Sequence, residues 1–182
     1  MTHHYDTFAT RFGPFSVAVD ASGRVAATAF GGRTRLRQRL STDRLERNPT
    51  ACAEAKRQIS EYFLHRRRGF HLPLAPQGTE FQQCVWTALG AIPYGETRSY
   101  REIAARIDRP RAARAVGRAN AKNPCCVLIP CHRVLGATGA LVGFAFGTGL
   151  KRRLLALERP AALPVSSTPG RGRLAKRGHQ GA

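Results

Sequence analysis

Asn123-Pro124-Cys125-Cys126-Val127-Leu128-Ile129-Pro130-Cys131-His132-Arg133-Val134 is the stretch on which the reading of this chain turns. An apolar run, Val127 to Ile129, delivers Cys131 to a place beside a histidine. A free thiol has a pKa of about 8.5, so it needs help to become a nucleophile near neutrality, and an imidazole can take its proton. Neighbouring side chains on an extended strand point to opposite faces. Cys131 and His132 can therefore cooperate only if the chain turns at Pro130 or a water bridges them. Proline fixes its own φ and brings no N–H, which suits a sharp turn there. Most buried cysteines are small hydrophobes rather than nucleophiles, and Cys52, Cys84, Cys125 and Cys126 are assigned to that class. Zinc is not expected: adjacent Cys-Cys and Cys-His pairs lack the intervening residues that let two ligands reach one tetrahedral ion. His71 has no companions that would make it a ligand, and no other metal or cofactor is called for. Five cysteines without paired spacing indicate reduced thiols.

The segment before this stretch carries helix punctuation. Thr79 with Gln82 is a capping box, followed by Phe81, Val85 and Leu89 on one helix face. Ile92-Pro93-Tyr94-Gly95 ends that helix. Ser99 with Glu102 is a second capping box. Ile103 and Ile107 carry its helix inward, and Asp108-Arg109-Pro110 stops it. Arg111 to Ala121 is predicted as a further helix. A short helix, a tight break and an Arg-bearing helix make the outline of a helix-turn-helix. Thr97 to Lys122 holds eight Lys and Arg against Glu102 and Asp108, a net +6. Such a hairpin is often only a solvated surface. Here Ala112, Ala113, Ala115, Gly117 and Ala119 leave the second helix slim enough to approach another surface closely, such as a groove of DNA.

Upstream, Phe15, Val17 and Val19 alternate with small or polar residues as in a strand, Asp20 to Gly23 is a turn, and Arg24 to Phe30 is the returning strand. Thr50 to Leu64 is predicted helical, with Ala55, Ile59 and Phe63 four apart. His3 and His4 are read as part of a mobile terminus. Leu72-Pro73-Leu74-Ala75-Pro76 cannot continue a helix and is taken as a linker. The expected organisation is an αβ subdomain with a small antiparallel sheet over 1–75, a mostly helical domain with the helix-turn-helix and Cys131 over 76–160, and a disordered basic tail over 161–182 without periodicity. The class is α/β in the broad, α+β sense. The 182 residues carry 30 Lys and Arg against 11 Asp and Glu, a formal charge of +19, which calls for a polyanionic partner. No apolar run approaches the roughly 18 residues of a membrane span and no signal-like order opens the chain, so a cytoplasmic location is expected.

Taken together, Pro130-Cys131-His132-Arg133-Val134, Asn123-Pro124, Ile92-Pro-Tyr-Gly-Glu96, Ser99-Tyr100, Ala112-Ala-Arg-Ala-Val-Gly117 and the segment Lys151 to Glu158 resemble the O6-alkylguanine-DNA alkyltransferases, the methylated-DNA–protein-cysteine methyltransferases. The resemblance covers roughly residues 79 to 159. It implies single-turnover repair of double-stranded DNA containing O6-alkylguanine, and less so O4-alkylthymine, with no cofactor, no obligate protein partner and a monomeric state. Cys131 would accept the alkyl group, His132 would act as base through a water, and Glu158 would orient His132. Asn123 would brace the turn and Tyr100 would donate to a ring nitrogen of the leaving guanine. Arg114 would fill the stack once the lesion base is flipped out. Ser99, Ala115, Gly117, Arg118 and Arg133 would lie at the DNA, and Val134, Phe144, Ala145 and Phe146 at the substrate pocket.

Some residues depart from the family pattern. Phe144 stands where Tyr is frequent, and Phe146 where Gly is usual, so a ring at the pocket lip is expected to narrow access or re-shape the loop. Thr148-Gly149 also differs. Arg118 and Asn120 replace smaller or apolar residues on the recognition helix and are expected to strengthen phosphate contact. The alternatives are a module that binds alkylated bases without accepting the group, which in alkyltransferase-like proteins has Trp at the cysteine position, and a sequence-specific regulator. Cys131 speaks for the enzyme. The cysteine-rich zinc domain of some members has no counterpart, since only Cys52 precedes residue 84.

Overall fold

Large and small residues alternate along the first strands, and that alternation lets the sheet be covered on both faces. The computed structural model describes residues 2–40, 42 and 44–159. Strands β1 (His3–Thr10), β2 (Gly13–Val19) and β3 (Val25–Phe30) form an antiparallel meander. Phe15, Val17, Val19 and Val25 point to one face, where α2 (Ala53–Phe63) lays Ile59, Tyr62 and Phe63 against them. Phe15, Phe30 and Phe63 meet with ring centroids 4.8–6.0 Å apart, the tilted and edge-on arrangements that aromatic quadrupoles favour. The small residues Ala18, Ala27 and Ala29 face the other way, and α1 (Arg33–Leu40) approaches them through Leu36. Asp20 closes the β2–β3 turn by accepting from the N–H groups of Ser22 and Arg24.

Three features depart from expectation. His3 and His4 belong to β1, where His4 pairs with Val19 of β2 and His3 with Leu45. The sheet is mixed rather than purely antiparallel: β4 (Leu45–Arg47) pairs in parallel with β1, giving the order β3-β2-β1-β4. Helix α1 and strand β4 carry too few apolar residues to register as periodic. The predicted strands β2 and β3 and the helix α2 are present.

The stretch Leu72–Pro76 runs extended beside β3, with Val25 N–H donating to Pro73 O and Ala75 N–H to Val25 O. Helix α3 (Glu80–Gly90) follows, with both hydrogen bonds of the Thr79–Gln82 capping box formed. Strand β5 (Arg98–Ser99) leads into α4 (Tyr100–Arg106) through the Ser99–Glu102 box, also complete. Each such cap stabilises its helix by about 1 kcal/mol. Asp108, at φ 57°, turns the chain into α5 (Ala113–Ala121). Strand β6 (Val134–Leu135) pairs in parallel with β5, and α6 (Thr148–Glu158) closes the described fold. One apolar cluster runs from Phe8 and Phe15 through Trp86 and Ile103 to Leu157, so the segments on either side of residue 76 share a core. The expected tail, 161–182, lies outside the described residues.

Candidate active site

The chain approaches Cys131 along a backbone held from several sides. Thr28 of β3 donates its N–H to Pro124 O and its hydroxyl to Cys126 O, so the sheet edge fixes the start of the run. Val127 sits at φ 75°, a left-handed conformation that a β-branched residue adopts only under constraint. Asn123 supplies that constraint. Its Nδ2 donates to Ile129 O at 2.8 Å, and its Oδ1 accepts from Cys125 N at 3.0 Å. Pro130 then turns the chain at φ −80° and ψ 62°, with Cys131 N–H donating to Ile129 O, an inverse γ-turn. Cys131 to Arg133 form a single 3₁₀ turn. The turn predicted at Pro130 is therefore present.

That turn aims His132 at α6. Its Nε2 lies 2.8 Å from Glu158 Oε1, and both side chains are buried. Glu158 also takes Arg133 Nε and Nη2, each at 2.8 Å, Gly95 N–H at 3.2 Å and the Tyr62 hydroxyl at 2.5 Å. Burial raises the carboxyl's proton affinity, but donors from His132 and Arg133 outweigh it and hold the group far below the usual carboxylate range. An ionised carboxylate only accepts, so His132 Nε2 carries the hydrogen and Nδ1 is left with its lone pair. That Nδ1 is buried and has no hydrogen-bond partner among the described residues. Burial lowers the His132 pKa, and Glu158 opposes the shift. Burial raises the Cys131 thiol, against hydrogen bonding from Asn123 and the charges of Arg39 and Lys151. The site thus rests as a neutral thiol near a neutral imidazole, which is ready to accept a proton.

Lys151, on α6, is buried and donates its ammonium to Val134 O and, at 2.7 Å, to Val142 O. It ties the strand leaving the 3₁₀ turn to the loop before α6. The Tyr100 hydroxyl reaches the same loop, 3.4 Å from Val142 O and from Gly143 O. Burial brings Lys151 down to about 8. Lys151→Met keeps the stem and removes both hydrogen bonds, so stability is expected to fall by about 1–3 kcal/mol in urea denaturation. The pH dependence has a definite sign. The unfolded chain keeps this proton to about pH 10.4 while the folded chain releases it near 8, so the unfolded state binds more protons between these values. Wild type should gain on the variant as pH rises through that window.

Helix α5 backs directly onto Cys131. Asn120 Nδ2 faces Cys131 O at 3.4 Å, and Trp86 Nε1 donates to Ala119 O at 2.9 Å. Arg114 and Arg118 are exposed, and Ala115 and Gly117 are partly covered on the same helix. Ser99 uses its oxygen as the cap of α4. Two expected DNA contacts are corrected. Arg133 is buried, its guanidinium engaged by Glu158 and by Ile92 O, so it faces the interior. Asn120 is also buried and supports Cys131 rather than a phosphate. Cys84, assigned to the buried cysteines, is exposed on α3. At the pocket, Val134 is buried and Ala145 exposed, and Thr148 opens α6. Phe146 packs edge-on against Phe30 at 5.4 Å and Phe144 at 5.6 Å, with the Arg39 guanidinium 4.9 Å from its ring. Its ring is thus spent on docking the loop to the N-terminal sheet. Among the described residues no cluster of His, Cys, Asp or Glu could hold a metal ion, and no helix is long and apolar enough to cross a membrane.

Residues 80–160 match the family model described as 6-O-methylguanine DNA methyltransferase, DNA binding domain. A methylated-DNA–protein-cysteine methyltransferase of Methanosarcina barkeri is 45% identical over 155 residues, spanning 85% of this chain and 96% of the relative. The chain belongs to this methyltransferase family. A constitutive family member of Bacillus subtilis is 54% identical over 108 residues, 59% of this chain and 66% of that one. The crystal structure of Mycobacterium tuberculosis OGT in complex with DNA superposes with a TM-score of 0.78 at 42% identity, covering 86% of this chain and 92% of that one. The mixed αβ architecture expected for the family is the one observed. Tyr62 and the clamping role of Lys151 were not singled out from the sequence. Lys151 carried a signal, as a lone Lys at the inward spacing of Leu154 and Glu158, whereas Tyr62 looks like any core aromatic.

Proposed function

We propose that this chain repairs DNA by direct reversal, moving the alkyl group of O6-alkylguanine, and less readily of O4-alkylthymine, onto Cys131. The observation that carries this reading is a buried cysteine in a 3₁₀ turn, next to a His132–Glu158 pair and directly behind a helix with exposed arginines. The exposed Arg114 and Arg118 approach duplex DNA, and phosphate contacts give affinity without sequence preference. The lesion base leaves the stack, at a cost of a few kcal/mol that damage reduces, and Arg114 fills the gap. The Cys131 proton passes through a water to the free lone pair of His132 Nδ1, and Glu158 stabilises the imidazolium. Sulfur bonds to the alkyl carbon as the carbon–O6 bond breaks, and its electron pair stays on the guanine, whose ring nitrogen accepts a hydrogen bond from Tyr100. Asn123 keeps the turn in shape throughout. The thioether has no good leaving group, so each molecule acts once. One chain holds the whole relay, which supports a monomer.

Intact-mass measurement after mixing with a duplex containing O6-methylguanine tests the reading: one methyl group should be gained, on Cys131. Unmodified protein that still binds the duplex would promote the binding module instead. Arg114→Ala should slow transfer from duplex by about 10- to 100-fold while leaving transfer from the free base O6-methylguanine nearly unchanged. Equal losses on both would make Arg114 a folding residue.

A further inference from the structure

We infer that Tyr62, from the N-terminal αβ segment, is a positioning residue of the Cys131 relay that sets how strongly Glu158 pulls on His132. The inference rests on the relay proposed above. Tyr62 is fully buried on α2, and its hydroxyl donates to Glu158 Oε1, the oxygen that also faces His132 Nε2. Oε1 therefore serves three donors, Tyr62, His132 and Arg133 Nη2, with two lone pairs, while Oε2 takes Arg133 Nε and Gly95 N–H. Donors on one acceptor compete. Each hydrogen bond that stabilises the carboxylate anion lowers its proton affinity and weakens its support of an imidazolium.

The groups facing this centre are Cys131 and Arg133 on the 3₁₀ turn, Lys151 and Glu158 on α6, Tyr94 before β5, and Tyr62 on α2. Arg133 and Lys151 oppose a charge on His132, and Glu158 favours it. Tyr62 stays protonated, since burial and Glu158 push its hydroxyl well above its ordinary value, so it is a donor throughout the working range. A base that must be neutral before it can act loses activity on the acid side, where it is already protonated. Tyr62 moderates Glu158 and so keeps His132 neutral to lower pH.

Single-turnover methyl transfer from an O6-methylguanine duplex is measured across pH for wild type and Tyr62→Phe, and the His132 imidazole is titrated by NMR without DNA. The phenyl ring keeps the packing and loses only the donor. The acid limb of the rate and the His132 titration should both move to higher pH, with rates about fivefold lower below the limb and unchanged above it. 3-Fluorotyrosine at position 62 alone, a stronger donor of nearly the same shape, should move both the other way. A limb that stays put with a lower melting temperature, or a uniform loss at every pH, overturns the inference in favour of packing. Should Tyr62→Phe fail to fold, the fluorotyrosine sign decides alone. If wild type accepts no methyl group, the proposed repair activity fails, while the His132 titration still reports whether Tyr62 tunes it.

Discussion

Cys131→Ala should bring methyl acceptance below detection while leaving affinity for the O6-methylguanine duplex essentially unchanged. The nucleophile is lost outright, so no residual transfer is expected from the rest of the relay. The exposed Cys84 does not substitute, because His132 and Glu158 are arranged around the 3₁₀ turn and not around α3. Affinity is preserved because Arg114 and Arg118 are exposed on α5, while Asn120, on its buried side, reaches Cys131 through the backbone carbonyl, a group alanine retains. Gel-shift and intact-mass measurements on the same samples separate binding from transfer. Loss of binding in step with loss of transfer would mean that the thiol holds the turn, and so the helix, in place.

Glu158→Gln is expected to be the most damaging change to stability. Glutamine has the same shape, but one of its two terminal atoms is a donor, and that donor would face the donors of Tyr62, His132 or Arg133. The buried Arg133 guanidinium would also lose its counter-charge. Breaking a buried pair from one side costs about 3–5 kcal/mol, a large share of the roughly 5–15 kcal/mol that holds a domain together. Adding Arg133→Met should recover part of the stability and none of the transfer, which divides the structural task of Glu158 from its task at His132. The pH dependence follows from the depressed carboxyl. A group whose folded pKa lies below its unfolded value of about 4.3 contributes fully above that value and loses its contribution as pH falls through the folded one. The gap between wild type and variant in denaturant midpoint should therefore stay constant from neutrality to about pH 5 and close in more acidic buffer.

Local chemistry was legible where it is encoded locally. Both capping boxes, the turn at Pro130 and the helix break at Asp108 depend on residues within a few positions of one another, and all are present. The Cys131, His132 and Glu158 grouping was legible only through motif resemblance, because Glu158 lies 26 residues beyond His132 and no periodicity links them. Tyr62 is 96 residues from Glu158 and was out of reach for the same reason. Exposure is the usual fate of arginine, but a buried carboxylate 25 residues further along the chain holds Arg133 inside. Strand β1 begins with two histidines, and what makes it a strand is its pairing with β2 rather than its composition. Asn120 carries a polar side chain that suits a phosphate as well as a backbone carbonyl, and only the fold turns it to the buried side of its helix.

The back of α5 has a further consequence. Helix α5 is tied to the 3₁₀ turn through Asn120 and Cys131, and to α3 through Trp86 and Ala119. Duplex DNA docked on α5, as proposed above, would therefore rest on the element that holds the Cys131 carbonyl. In the proposed repair, discrimination between intact and damaged bases would then rest on the extrusion of the base itself. By that proposal a normal guanine would be passed over because it rarely leaves its partner, and because it brings no alkyl carbon when it does.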